Sequence, residues 1–191
     1  GVINGNSIVF RIDSTVPNLA YDAWTGKFFR GYLHTRNPST FSGTFADTGV
    51  TYGFYATQED WLKPDSSASG AFAASQYIGR WTMNHDGWPG TLTITAVNAV
   101  TGNITASYRN AQNQAFPVTG KVNTGARSIS FSISFDPASP QPFTGYLHSW
   151  DRGVMSGTTD WGGASFGWTG ERHTLPLTMP VVTPGLIQLF P

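Results

Sequence analysis

The sequence predicts an all-β protein: an eight-stranded antiparallel up-and-down barrel preceded by a duplicated partial unit of about four strands. Three observations carry this reading. Apolar and small polar residues alternate with period two along several short runs, turn-forming residues separate those runs, and a block of the first third recurs in the last third. No stretch places apolar side chains three and four apart over ten positions. At most one helical turn is expected, near Ser69–Gln76.

From Ile78 to Arg172 the runs read as strands near 80–85, 91–97, 103–109, 115–122, 128–135, 142–150, 154–160 and 165–171. The clearest is Ile129, Phe131, Ile133 and Phe135, which alternate with Ser130, Ser132 and Ser134, as a half-buried strand requires. Leu92, Ile94 and Ala96 alternate in the same way with Thr91, Thr93 and Thr95. Between the runs fall Asp86-Gly87-Trp88-Pro89-Gly90, Thr101-Gly102, Asn123-Thr124-Gly125, Asp136-Pro137 and Gly162-Gly163, all with turn chemistry. Short loops make a meander, and eight such strands favour closure, which removes exposed edges. A β-sandwich is the alternative reading of the same pattern.

Gly31-Tyr32-Leu33-His34 recurs as Gly145-Tyr146-Leu147-His148, an offset of 114. At the same offset Ser42-Gly43-Thr44 recurs as Ser156-Gly157-Thr158, and Gly49 and Gly53 match Gly163 and Gly167. Nine of the 27 positions from Gly31 to Thr57 are identical without a gap, against roughly two by chance for ordinary composition. Upstream, Ser7–Ile12 resembles Ser128–Ile133, but residues 78–127 have no counterpart in the first copy. The organisation is therefore a partial unit over 1–62, a linker over 63–77, a full barrel over 78–173 and a Pro-rich extended tail over 174–191. Four strands with free edges are expected to pair with the full barrel or with a second chain, which makes a homo-oligomer through the partial unit an expected partner arrangement.

Composition narrows the function classes. Eleven basic and eleven acidic residues cancel, and only 12% of the chain is charged, so nothing would neutralise a run of phosphates and no nucleic-acid partner is expected. No apolar run reaches the roughly 20 residues of a helical membrane span, and no signal peptide opens the chain. The absence of Cys removes disulfides and thiolate chemistry. The histidines at 34, 85, 148 and 173 have no metal-ligand spacing, and no Gly-x-Ser-x-Gly elbow is present. No metal and no cofactor is expected.

The stretch Gly79-Arg80-Trp81-Thr82, then Leu92 to Val97, Gly102 and Tyr108, resembles the opening hairpins of the avidin and streptavidin family. Phe131-Ser132-Ile133-Ser134-Phe135 and Phe143-Thr144-Gly145 resemble its middle strands, so the likeness covers the second unit, about half the chain. More broadly the pattern is similar to calycins, lipocalins included. The resemblance implies a barrel open at one end with a ligand in its mouth. It places Asn84 and Tyr108 where the family contacts the ureido group of biotin, and Trp161 and Phe135 where the family has pocket tryptophans. The first hairpin loop is longer here, and the last strand lacks the family's asparagine. The likeness thus bears on shape rather than on biotin specificity.

Aromatic-lined mouths hold compact ligands. The ligand-binding candidates are Trp81, Asn84, Trp88, Tyr108, Phe135, Phe143, Trp161 and Trp168; the inward Trp81, Phe135, Phe143, Trp161 and Trp168 could instead fill the barrel as core, and Trp88 could simply belong to a tight turn. Tyr32 with His34 and Tyr146 with His148 form a repeated pair that faces outward if Leu147 faces in. His148 and Asp160 are weak candidates for a catalytic acid–base pair across neighbouring strands. The leading expectation is a secreted or periplasmic non-enzymatic protein holding a small, partly apolar ligand in the barrel mouth. A carbohydrate-binding lectin with repeated aromatic and histidine sites, a lipocalin-like hydratase or cyclase, and a structural assembly domain are the alternatives.

Overall fold

The computed structural model describes residues 1–12, 27–57, 71–149 and 151–173. Among these residues the regular structure is almost all β. Strands β1 (Val2–Asn4), β2 (Ser7–Arg11), β3 (Phe28–His34), β4 (Asn37–Asp47) and β5 (Val50–Thr57) form one antiparallel sheet in chain order. The sheet thus has five strands rather than about four, because the turn at Gly5 (φ 60°) folds a short β1 back onto β2.

A single 3-10 turn, Ala74–Tyr77, leads into the barrel. Strands β6 (Gly79–His85), β7 (Trp88–Val97), β8 (Ile104–Asn110), β9 (Ala115–Asn123), β10 (Ser128–Ile133), β11 (Gln141–Leu147), β12 (Val154–Trp161) and β13 (Ala164–Arg172) then run up and down. The ladder closes where β13 pairs with β6, from Trp168 opposite His85 to Arg172 opposite Trp81. A closed cylinder replaces the sandwich alternative, and it leaves no free edge in this unit.

Period two decides what the barrel contains. Trp81, Met83, Leu92, Ile94, Tyr108, Ile129, Phe131, Ile133, Phe143, Leu147, Met155 and Trp168 all point inward and are essentially fully buried. Tyr77 joins them from the 3-10 turn, and its OH has no hydrogen-bond partner among the described residues. Large side chains thus pack the lumen as a core, the normal outcome for eight strands. One hollow of the described surface lies outside the barrel, bordered by Arg80, Thr91, Thr93 and Arg109 on the outer face of β6–β8.

The loop expected over 86–90 is shorter than its sequence suggests. Asp86 and Gly87 alone make the turn, both with positive φ (53° and 86°), the signature of a tight two-residue hairpin. Trp88, Pro89 and Gly90 already belong to β7. Pro89 is tolerated because it pairs with Asn84 on one side, whereas the ladder to β8 starts only at Gly90.

The sheet lies against the outside of the barrel, β3 and β4 against β13, β4 against β12, and β5 against β12 and β11. Its other face carries Phe10, Phe29, Phe41, Phe45 and Phe54 in stacked and edge-on contacts, with Phe10 and Phe29 stacked at 4.8 Å. Residues 63–70 of the expected linker and the tail from 174 to 191 lie outside the described residues.

Candidate functional site

Two regions concentrate chemistry: one end of the barrel, and the seam between barrel and sheet. At the barrel end the β6–β7 hairpin brings His85 inward, beyond Trp81 and Met83 on the same strand face. His85 Nε2 and Tyr108 OH share a hydrogen bond of 3.2 Å. Around the imidazole stand Phe135 at 5.7 Å and Phe143 at 5.6 Å between centroids, with Phe116 packed on Phe135 at 5.0 Å. Burial among rings disfavours charge, so the His85 pKa falls to about 4 despite nearby Asp86, with His34 pushing it the same way. Burial likewise pushes Tyr108 up to about 12. The pair is therefore neutral at physiological pH, one hydroxyl and one imidazole in an aromatic cage.

Trp81, Tyr108, Phe143 and Trp168 are buried at 1% exposure or less and belong to the packed core, so they line no open calyx. Trp161 ends β12 at the same rim as His85 and is 46% exposed; Trp88 is 48% exposed, with the Arg36 guanidinium 3.6 Å over its ring. Asn84 does not face the lumen. Strand alternation turns it outward, where its side-chain oxygen accepts from the Gly87 N–H at 2.8 Å. His85, rather than Asn84, is the β6 residue that faces the interior at this level, and in the sequence it is weighed only for metal-ligand spacing. Phe116 was missed as well, because its contribution depends on the register of β9.

At the seam, the repeated pair resolves into two equivalent units. Leu147 points inward and Tyr146 and His148 outward. His148 Nε2 and Ser156 Oγ share a 2.8 Å hydrogen bond, and His34 Nε2 and Ser42 Oγ share one of 3.0 Å. His34, Ser42 and Ser156 are fully buried. His148 lies 5.9 Å from the Tyr55 ring of the sheet. Desolvation holds His148 down to about 4, against the pull of Asp151, and lowers His34 against the pull of Asp86. The tyrosines of the repeat, Tyr32 and Tyr146, are only partly buried.

The seam also uses Asp86, whose carboxylate accepts from the Thr35 N–H and the Thr35 hydroxyl, both at 2.5 Å. Asn6 Nδ2 donates to the Ser165 carbonyl at 3.3 Å. The acid–base pairing expected of His148 and Asp160 does not form. His148 follows β11 at one end of the barrel, whereas Asp160 lies near the opposite end of β12 and accepts from the Ser165 hydroxyl at 2.5 Å. Among the described residues no three His, Asp or Glu side chains converge as a metal ion would require, and no helix is long and apolar enough to cross a membrane.

No protein-family profile and no curated protein matches the chain. A solved structure of a redesigned β-barrel is similar, at 14% identity and a TM-score of 0.40, over 55% of this chain and 98% of that one. The barrel itself rests on the strand ladder described above. That ladder defines the class: a closed eight-stranded antiparallel β-barrel carrying a separate five-stranded sheet.

Proposed function

We propose that the protein is a secreted or periplasmic, non-enzymatic binding module, calycin-like in shape, that takes a small, partly apolar ligand at the rim of its barrel. The observation that carries this reading is the neutral, partly buried His85, backed by the core residues Tyr108 and Phe143 and set beside the partly buried Phe116 and Phe135. A neutral polar side chain framed by rings suits a compact ligand with one polar edge and an apolar body. Because the lumen below is filled, the ligand sits shallowly, against Phe116, Phe135 and the half-exposed Trp161. The avidin-like features bear on this shape and leave the ligand's identity open.

The half-exposed indoles of Trp88 and Trp161 favour a second reading, a lectin that stacks sugar faces on tryptophan. A thermal-shift screen of biotin-like vitamins, apolar metabolites and glycans tests both. A hit that His85→Ala abolishes, while Trp88→Ala leaves it intact, supports the rim site. A glycan hit lost on Trp88→Ala or Trp161→Ala but kept in His85→Ala supports the lectin. Absence of any shift across the screen counts against both.

A further inference from the structure

The strand-to-strand contacts that β3, β4 and β5 make with β11, β12 and β13 obey an exchange rule. By the offset of 114, β3 corresponds to β11, β4 to β12 and β5 to β13. The sheet touches the barrel through β3 on β13 and, reciprocally, β5 on β11; through β4 on β13 and, reciprocally, β5 on β12; and through β4 on β12, which is its own reciprocal. Atomic contacts follow the same rule. A Cβ placed on Gly53 of the sheet would lie 2.6 Å from Ser156 Oγ of the barrel. One placed on Gly167 of the barrel would collide with Ser42 Oγ of the sheet and lie 2.9 Å from the Ser42 carbonyl oxygen. Gly53 and Gly167 are equivalent positions, as are Ser42 and Ser156, and each serine is held by its own histidine.

When residue i meets j and the counterpart of j meets the counterpart of i, the contact is isologous, the geometry of a two-fold homodimer. Here that geometry is built within one chain. We infer that the β11–β13 face of the barrel is a self-complementary interface whose partner is a second copy of the same barrel, and that the β1–β5 sheet occupies it in cis as half of such a partner.

Every contact that the sheet makes with Ser156 or Gly167 has a stand-in on a second barrel. Gly167 of one copy would cover Ser156 of the other, and the reverse. Where Gly53 meets Ser156 and Gly167 meets Ser42, the seam is built of glycine and buried serine, so the two backbones approach there without a large side chain intervening. The barrel does not need the sheet for its own integrity, because its ladder is closed and, among the described residues, its buried core is drawn from residues 77–168. The covalent half-partner thereby keeps this face away from other copies.

Uncovering the face tests the inference. In the intact chain Ser42→Arg places a long cation against Gly167 and displaces the sheet. Sedimentation equilibrium should then show a dimer where the unchanged chain shows none through this face, with the near-ultraviolet signal of buried Trp81 and Trp168 retained. Residues 71–173 alone should dimerise as well. Adding Gly167→Val to either form should return a folded monomer, since the new side chain meets Ser156 of the other copy. A folded monomer at 100-fold higher concentration in both uncovered forms overturns the inference. So does a dimer that Gly167→Val leaves intact.

Discussion

The indole of Trp168 lies over Gly145, filling the space where a side chain on β11 would stand. A Cβ on Gly145 would be 3.0 Å from Trp168 Cε2 and closer still to its six-membered ring. The ring cannot easily retreat. Its Nε1–H donates to the Thr144 carbonyl at 3.0 Å, and Phe131 meets it edge-on at 5.4 Å. Gly145→Ala should therefore overpack the core and cost about 1–3 kcal/mol in denaturant unfolding. Gly125→Ala is the control, since a Cβ there meets only Asn123 Oδ1 at 3.5 Å, and stability should hardly change.

The buried histidines set an acid limit on stability. His85 and His148 titrate near 4 in the folded chain and near 6.5 when unfolded, so the native state favours their neutral forms. Their contribution is complete above about pH 6.5. It is lost as pH falls toward 4, because the unfolded chain takes up protons that the folded chain refuses. Each histidine should cost up to about 1.4 kcal/mol per pH unit across that window. Unfolding followed at pH 7, 6 and 5 checks this, and His148→Gln should flatten the slope.

Asp86 serves two masters, the hairpin and the sheet. Its φ of 53° suits Asp or Asn, and its carboxylate holds Thr35. Asp86→Asn keeps the turn and an acceptor oxygen, whereas Asp86→Ala loses both. The alanine variant should lose about 1–2 kcal/mol more than the asparagine variant, read by thermal unfolding.

Arg36 stacked on Trp88 links the tip of the sheet to the barrel rim. Removing the guanidinium in Arg36→Ala should red-shift part of the tryptophan emission as Trp88 becomes wetter. The stability cost at such an exposed site should stay near 0.5–1 kcal/mol. An unchanged spectrum would contradict the stacked arrangement.

Alternation made the barrel legible: Ile129, Phe131 and Ile133 against three serines can sit in only one way across a wall with a dry and a wet side. Turn boundaries were less legible, since Pro89 and Gly90 read as punctuation until the one-sided pairing of Pro89 is seen. The repeated Tyr-x-His block pointed to the seam, but not to its serines. His34 meets Ser42 only through the hairpin register, which slips by a bulge between Leu33 and His34. His85 is weighed in the sequence only for metal spacing, because its meeting with Tyr108 depends on the register of β6, β7 and β8.

Closure of β13 onto β6 also brings the polypeptide into and out of the cylinder at one spot, where the His173 N–H donates to the Arg80 carbonyl at 2.8 Å. The barrel is consequently a cassette. It can be grafted into a surface loop of an unrelated host by adjacent splice points, or circularly permuted by joining those points and reopening the chain at Gly162-Gly163.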